Sequence, residues 1–179
     1  GQPGVFSQGV EVMSFYRDQL ESYLRTVRVG CGTVFDVGGG QKPVKGRTAT
    51  WEVGRYVVMD MPGYDLDVRN EHAEKCDMAF CLEVFEYLLV PTVAMGNICD
   101  MLRPGGTAVV SFPFVYPLHN EVELDSLRYT VTGVRRLAAR AGLEVVGVRE
   151  RKARTGSLVK YYSEDGMRCA KGHCHDNTG

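Results

Sequence analysis

The sequence predicts a doubly wound α/β fold, in which a mostly parallel sheet ends in an antiparallel hairpin at its C-terminal edge. The parallel sheet is predicted because four short apolar runs are almost uninterrupted, which is typical of strands covered on both faces. Segments with helical periodicity and short turns separate these runs, as in folds that alternate strands and helices. The hairpin is predicted because two further apolar runs, residues 143–150 and 156–162, are joined by a basic turn.

The predicted elements follow one another in a simple order. Residues 10–27 carry apolar side chains at helical spacing, which predicts an amphipathic helix ahead of the sheet. The four predicted strands cover residues 33–38, 55–61, 76–82 and 107–112. Residues 83–102 have a helical pattern that Pro91 breaks or restarts, and residues 130–142 form a last helix that stops at Gly142.

Composition indicates a single globular domain. The chain has 179 residues and 44% hydrophobic content, which is enough for one substantial core and too little for two ordinary domains. We assign residues 31–162 to this domain, residues 1–30 to a segment with the N-terminal amphipathic helix, and residues 163–179 to a polar tail. The formal net charge of -1 gives no general attraction to nucleic acids or membranes.

The charge is unevenly distributed along the chain. Residues 128–160 contain nine Lys and Arg against two Glu. This basic part of the chain is either a solvated helix face with a sheet edge, or a docking surface for an anionic substrate or partner.

The cysteine content and the absence of targeting signals indicate a cytoplasmic protein. Six cysteines are too few and too irregularly placed for a disulfide scaffold in a chain of this size. The sequence has no apolar run of about 18 residues and no signal-peptide pattern, so no membrane partner is predicted. The tail contains Cys169, His173, Cys174 and His175, but their spacing is not that of a zinc site, and no metal is predicted.

The stretch "VFDVGGGQKP", Val34 to Pro43, places three glycines, Gly38 to Gly40, directly after a predicted strand. Ligands of open α/β sheets lie beyond the carboxyl ends of the strands, and glycine lets the backbone approach them closely. A dinucleotide motif needs a further small residue where this chain continues with Gln41, and the Gly-Lys-Ser/Thr of a phosphate loop is absent. The glycines therefore favour a ligand that is not held mainly through phosphates.

Two carboxylates add to this interpretation. Asp60 ends the second predicted strand, where an acidic side chain can accept hydrogen bonds from two ribose hydroxyls. Asp67 follows a few residues later and can accept a hydrogen bond from an adenine amino group. For Asp60 the alternative is a turn-forming role before Met61 and Pro62. Together with the glycines, the two carboxylates predict a nucleoside site.

These motifs, in this order, resemble the class I S-adenosylmethionine-dependent methyltransferases, and in particular the small methyltransferase type 11 group. The resemblance extends from Val34 to Val146. After the glycine-rich first motif come "YVVMDM", "DLDV", "CDMAFCLEVFEYL" and "LRPGGTAVVSFPF", and "YPLHNEVELDSLRYTVTGVRRLAARAGLEVV" is similar to the pattern of the subgroup. The resemblance implies a Rossmann-like fold and S-adenosyl-L-methionine as the cofactor.

The resemblance also implies which residues bind the cofactor. They are Asp36, Gly38, Gly39, Gly40, Asp60, Met61, Asp67, Cys81 and Leu82. Asp36 and the glycines would shape the pocket for the methionine moiety, and the acidic residues would bind the ribose and face the adenine. Cys81 and Leu82 would border the sulfonium, with Cys81 as part of the wall and not as a nucleophile, because it follows Phe80 where cytosine-C5 enzymes have proline.

On the acceptor side, the predicted substrate residues are Glu86, Tyr87, Tyr116, Asp125 and Arg128. The subgroup usually has Glu-His where this chain has Glu86 and Tyr87, so the resemblance does not fix the acceptor. His119 is the predicted catalytic base, because it lies in the loop after the fifth motif and imidazole titrates near neutral pH. A structural role for His119 in a turn is the alternative. We predict that residues 119–128 form one wall of the acceptor site.

The predicted function is transfer of a methyl group from S-adenosyl-L-methionine to a small-molecule or glycan-like acceptor. The fourth motif has "CLEV" where DNA amino-methyltransferases have Asp/Asn-Pro-Pro-aromatic, which argues against DNA adenine as the acceptor. Two alternatives remain open. One is an RNA or protein methyltransferase that docks through the basic part of the chain, and the other is a non-catalytic interaction protein with this fold.

Overall fold

The computed structural model describes residues 15–114 and 123–151. The helices are α1 (Phe15–Leu24), α2 (Pro91–Met101) and α3 (Val131–Arg140), the strands are β1 (Arg28–Val37), β2 (Thr50–Met59), β3 (Cys76–Cys81) and β4 (Leu102–Val110), and Phe85–Tyr87 forms a 3₁₀ turn. None of the helices in these two ranges is long and apolar enough to cross a membrane.

The four strands form one parallel sheet in the order β2-β1-β3-β4. In this order β1 pairs with β2 on one side and with β3 on the other, so Asp36 lies opposite both Val58 and Phe80. After β2 the chain crosses to the other side of β1, which creates a switch point at the carboxyl ends of β1 and β3. The predicted doubly wound, parallel α/β sheet is therefore confirmed.

Both faces of the sheet are covered by apolar side chains. On one face, Leu20 and Leu24 of α1 pack with Val34 and Phe80. On the other face, residues of α2 pack with Phe35 and with other apolar side chains of the inner strands. Neighbouring residues of β1 thus belong to opposite layers, which explains why its sequence is an apolar run and not an alternating pattern.

Two of the crossovers contain no helix. Residues 38–49 join β1 to β2, and residues 60–75 join β2 to β3, as loops and turns. Val44 of the first loop is fully buried and packs in the same cluster as Leu20 and Leu24 of α1. This loop therefore helps α1 to cover one face of the sheet.

Several element boundaries differ from the predicted ones. β1 and β2 begin at Arg28 and Thr50 and are longer than predicted, because these glycine-containing stretches are stabilised by pairing with each other. β1 and β2 approach each other so closely at Gly54 that a Cβ on this residue would lie 2.9 Å from the Gly32 carbonyl oxygen. Pro91 restarts the helical segment, as the sequence allowed, at the first position of α2.

The predicted antiparallel hairpin is not shown by the structure. Residues 143–150 are not assigned to a strand; Leu143 packs against the core, whereas Val146 and Val148 are exposed. The second run of the hairpin, residues 156–162, lies outside the described residues. In the described part of the chain, the sheet consists of the four parallel strands.

Candidate functional site

The glycine loop lies at the switch point, beyond the carboxyl end of β1. Gly38 has a φ of 76°, which a residue with a side chain rarely adopts, and its N–H donates to the Met59 carbonyl 2.7 Å away. A Cβ at Gly38 would lie 2.3 Å from Cγ2 of Val84, and a Cβ at Gly39 would lie 2.4 Å from the Asp36 carboxylate. The glycines are therefore required by close packing between the ends of the strands.

Asp36 anchors this loop from below. Its carboxylate is buried, and Oδ2 accepts hydrogen bonds from the Val44 N–H at 2.7 Å and from the Tyr56 hydroxyl. Burial raises the pKa of Asp36 above its usual value, although both hydrogen bonds act in the opposite direction. The side chain shapes the loop, and a direct contact with the cofactor stays a prediction.

Asp60 joins the first and second motifs. Its Oδ2 accepts from the Gly40 N–H at 2.6 Å, and its Oδ1 accepts from the Met61 N–H at 2.8 Å. The turn-forming alternative is also realised, because the Asp60 carbonyl accepts from the Tyr64 N–H at 2.9 Å. Each carboxylate oxygen has more than one lone pair, so these bonds remain compatible with ribose recognition. Met61 is 63% exposed beside it.

Asp67 has a structural role that sequence reasoning missed. Its carboxylate accepts from the N–H groups of Leu89 and Val90, at distances of 2.6 to 3.0 Å, immediately before α2. Val90 itself provides no side-chain cap for this helix. The sequence did contain an indication of this role. Since no residue next to Pro91 can cap the helix, a hydrogen-bond acceptor from elsewhere in the sequence was to be expected. The adenine contact of Asp67 is not tested by this arrangement.

Cys81 lies beneath the surface at the end of β3 and is fully buried. Burial raises the pKa of its thiol, and the charges of Glu86 and Asp36 add to this effect. A raised pKa disfavours the reactive thiolate, which argues against a nucleophile, and the contact of Cys81 with the sulfonium stays a prediction. Leu82, the next residue, is half-buried and packs against the α1 side of the sheet.

The helical pattern of residues 83–102 predicted Glu83 in the first turn of a helix. In the structure Glu83 is not helical, because α2 begins only at Pro91. It has a φ of 57° and bridges the ends of β3 and β4. Its N–H donates to Ser111 Oγ, and Ser111 Oγ donates to Glu83 Oε1, both at 2.7 Å. Arg151 donates to both carboxylate oxygens, at 2.8 and 3.2 Å. These partners are 28 and 68 residues away, so no local pattern identifies them.

Glu86 lies in the 3₁₀ turn and is fully buried. Burial raises its pKa to about 7; the charges of Glu83 and Asp125 contribute, while Arg151 opposes the rise. The Glu86 carbonyl accepts from the N–H groups of Ser126 and Leu127 at 2.8 and 3.0 Å. The structure therefore brings the fourth motif together with the segment that contains Asp125 and Arg128.

Asp125 and Arg128 form an ion pair in this segment. Asp125 is buried, and the Arg128 guanidinium donates to both of its oxygens, with Nη2 to Oδ2 at 2.9 Å. Next to the pair, the Tyr129 hydroxyl donates to the Phe85 carbonyl at 2.9 Å, and the Phe85, Phe112 and Tyr129 rings pack against one another. This aromatic cluster fixes the segment against the strand ends.

The remaining predicted residues are placed as follows. Tyr87 is half-buried at the end of the 3₁₀ turn. Tyr116 and His119 lie outside the described residues, as do the cysteines and histidines of the tail. Among residues 15–114 and 123–151, no three His, Cys, Asp or Glu side chains lie close enough together to hold a metal ion.

A separate polar cleft of about 290 Å³ lies near the amino end of β3, away from the glycine loop. It is lined by Arg69, Asn70, Glu71, His72, Lys75 and Asp100. Its cations are already engaged, because Arg69 pairs with the Asp100 carboxylate at 2.7 Å and Lys75 donates to the Asp100 carbonyl. We therefore place the candidate site at the carboxyl ends of the strands and not in this cleft.

Neither a family model nor a curated protein matches this chain. Solved structures do match. A chain of the complex between the Haloferax volcanii Trm112 methyltransferase activator and its methyltransferase is 17% identical, with a TM-score of 0.57 and coverage of 85% of both chains. An S-adenosylmethionine-dependent methyltransferase from Mesorhizobium loti is 14% identical, with a TM-score of 0.55 and coverage of 85% of this chain and 91% of that one. The chain therefore has the fold of the class I S-adenosylmethionine-dependent methyltransferases.

A third similar structure shows how far this likeness extends. The [4+2]-cyclase SpnF is 17% identical, with a TM-score of 0.58, and the match covers 83% of this chain and 64% of that one. A methyltransferase fold thus also occurs in a protein described as a cyclase. The likeness shows the fold, and activity has to be argued from the site.

Proposed function

We propose that this protein is an S-adenosyl-L-methionine-dependent methyltransferase that acts on a small-molecule or glycan-like acceptor. The observation that carries the proposal is the glycine loop at the switch point, packed against the carboxylates of Asp36 and Asp60. Ligands of open α/β sheets bind at such a switch point. The sequence motifs that resemble the methyltransferases are the ones that meet there.

The residues at this edge fit the chemical groups of the cofactor. Gly38 to Gly40 carry no side chains that would stand between the backbone and a ligand, and Asp60 retains lone pairs for ribose hydroxyls. The exposed Met61 supplies apolar surface beside Asp60 for an adenine ring. When bound, the cofactor supplies the activated methyl group on its sulfonium. The protein then has to bind and align the acceptor and exclude water from it.

Acceptor binding belongs to the neighbouring end of β3 and β4, where Glu86 and the Asp125–Arg128 pair lie. A carboxyl with a pKa of about 7 can accept or release a proton near neutral pH, so Glu86 is a second candidate for the base besides His119. Asp125 and Arg128 neutralise each other, so we assign them to orientation of this wall and not to proton transfer.

A second candidate function is methylation of RNA or protein. Arg135, Arg136 and Arg140 are exposed on α3, which forms part of the basic stretch of the sequence. The similar structure from Haloferax volcanii is a complex of a methyltransferase with an activator protein, which supports a search for such a partner. A cytoplasmic location stays a prediction for both candidates.

Two measurements on the purified chain test the proposal. Calorimetry with S-adenosylhomocysteine tests the nucleoside site, and mass spectrometry with S-adenosylmethionine and a panel of phenols, amines, sugar nucleotides and RNA tests the acceptor. We expect S-adenosylhomocysteine to bind and one small acceptor to gain a methyl group. Absence of binding contradicts the proposal, and methylation of RNA alone favours the second candidate.

A further inference from the structure

Glu83 combines an unfavourable backbone conformation with an unusual number of contacts. A φ of 57° is strained for a residue with a side chain, and such strain persists only where the surroundings enforce it. Here both the backbone N–H and the carboxylate of Glu83 are engaged by Ser111 Oγ. The two bonds tie the end of β3 to the end of β4 and set the direction in which the chain leaves β3.

Arg151 brings a third part of the chain to this point. Its guanidinium donates to both carboxylate oxygens of Glu83 and, at 3.4 Å, to the Phe112 carbonyl. The Arg151 and Glu83 side chains are only 15% and 22% exposed, so the pair is shielded from water on most sides. Ion pairs of this kind are less screened by salt than surface pairs.

The segment that leaves Glu83 carries Glu86. The charged groups around this buried carboxyl are Glu83, Asp125 and Arg151, and Asp125 is itself paired with Arg128. The neutral hydroxyl of Tyr129 and the neutral thiol of Cys81 also lie within electrostatic range of Glu86. Removing either member of the Glu83–Arg151 pair changes the charge that Glu86 experiences, and the two changes have opposite signs.

We propose that Glu83 and Arg151 are a positioning pair, which holds the segment carrying Glu86 and surrounds this buried carboxyl with one like and one opposite charge. Neither residue is assigned a contact with the substrate; both act through Glu86. The inference rests on the proposed function only in treating Glu86 as an acceptor-side group. The arrangement itself can be tested without any acceptor.

The test follows the carboxyl carbon of Glu86 by NMR in the chain labelled with ¹³C at the glutamate carboxyl. The resonance is identified by its loss in Glu86→Gln. We expect Arg151→Gln to raise the pKa of Glu86 by at least about half a pH unit, and Glu83→Gln to lower it by a similar amount. Arg151→Lys keeps the charge and should leave it near the parent value.

A purely structural role gives a different pattern. Loosening the segment would admit water to Glu86 and lower its pKa in both variants, and this result, like no change in either, overturns the proposal. Asp77→Asn and Arg103→Gln are matched controls, because this ion pair links β3 and β4 at their opposite ends and should not affect Glu86. If Glu83→Gln fails to fold, the comparison of Arg151→Gln with Arg151→Lys decides.

The result is independent of the proposed function. Calorimetry with S-adenosylhomocysteine on the same samples reports the nucleoside site, whereas the titration reports the pair. Opposite shifts of Glu86 without cofactor binding would support the pair and contradict the methyltransferase assignment. Binding of S-adenosylhomocysteine, with pKa shifts of Glu86 that are equal or absent in the two variants, would support the methyltransferase assignment and contradict the positioning pair.

Discussion

Gly40 is the residue at which the first two sequence motifs meet. A Cβ at this position would lie 2.4 Å from Asp60 Oδ2, the oxygen that accepts the Gly40 N–H. Gly40→Ala must displace either the loop or the carboxylate. We therefore expect it to weaken S-adenosylhomocysteine binding at least about tenfold, or ~1.4 kcal/mol, measured by calorimetry.

Gly30→Ala is the matched control for this substitution. Gly30 lies in β1, the strand that leads to the glycine loop, and apart from its chain neighbours no atom lies within 4 Å of the Cβ that alanine would add. The affinity of Gly30→Ala for S-adenosylhomocysteine should stay within about twofold of that of the parent, which corresponds to ~0.4 kcal/mol. Equal affinities for Gly40→Ala and Gly30→Ala would remove the glycine loop from the site.

Asp60→Ala tests the ribose assignment. We expect a loss of roughly 1–3 kcal/mol in S-adenosylhomocysteine binding, the scale of a lost hydrogen bond to a charged group. Since Asp60 also holds Gly40, affinity alone does not separate the two effects. An analogue of S-adenosylhomocysteine that lacks both ribose hydroxyls separates them. The parent should bind this analogue more weakly than S-adenosylhomocysteine, and Asp60→Ala should bind both alike; a preference that survives in the variant would contradict ribose recognition.

At the scale of elements, the strands with apolar runs on both faces were predictable. β3 was located within one residue of its observed end, because Ala79, Phe80 and Cys81 are all buried. The first halves of β1 and β2 were not predictable, since glycine at positions 30, 32 and 54 weakens a strand pattern that only the pairing of the two strands restores. The hairpin is not shown: in its first run no strand forms and Val146 and Val148 are exposed, and its second run lies outside the described residues.

The start of α2 depends on a carboxylate that lies more than 20 residues away in the sequence. Asp67 accepts from both N–H groups that precede Pro91. Asp67→Ala removes this cap, and we expect the free energy of unfolding in urea to fall by about 1–2 kcal/mol. Glu71→Ala, at an exposed position of the same loop, is the control and should change stability by less than about 0.5 kcal/mol.

The same variant tests the predicted adenine contact. S-inosylhomocysteine lacks the adenine amino group that Asp67 would recognise. If Asp67 accepts from that group, the parent should prefer S-adenosylhomocysteine to S-inosylhomocysteine, and Asp67→Ala should lose the preference. Loss of stability with an unchanged preference would assign Asp67 to the helix alone.

At the scale of the whole molecule, the residues proposed for the acceptor side could be predicted only as a set of residue types. Its geometry depends on contacts between distant parts of the sequence: Glu83 with Ser111 and Arg151, and Glu86 with Ser126. No periodicity or motif encodes such pairs. The proximity of Asp36, Gly40 and Asp60 was more predictable, because the sheet topology brings the ends of β1 and β2 together, and their contact with a cofactor stays a prediction.

Burial of Glu86 gives the stability of the molecule a pH dependence. Its pKa rises from 4.5 to about 7 on folding, so the folded state binds more protons in this range and stability falls as the pH rises through it. Glu86→Gln removes this contribution. The free energy of unfolding of the variant minus that of the parent should therefore increase from pH 5 to pH 8, by up to about 3 kcal/mol. Urea unfolding of both proteins at the two pH values measures this change.

The control for this titration is Glu52→Gln, because Glu52 is exposed on β2. Its difference from the parent should be the same at both pH values. Contributions from other groups, such as His72, whose pKa burial lowers, cancel when parent and variant are compared at one pH. A constant difference for Glu86→Gln would show that Glu86 ionises in the folded state as it does in the unfolded chain.

The loop from β1 to β2 also bears on which nucleosides the candidate site would accept. In dinucleotide-binding sheets a helix begins after the glycines, and its positive end attracts phosphate. Residues 38–49 contain no helix. Asp36 and Asp60 accept hydrogen bonds from N–H groups of this loop, and Lys42 and Arg47 of the loop pair with Glu21. This edge therefore lacks the positive helix end that holds phosphate in dinucleotide-binding sheets, so a nucleoside ligand without phosphates fits it better than a dinucleotide does.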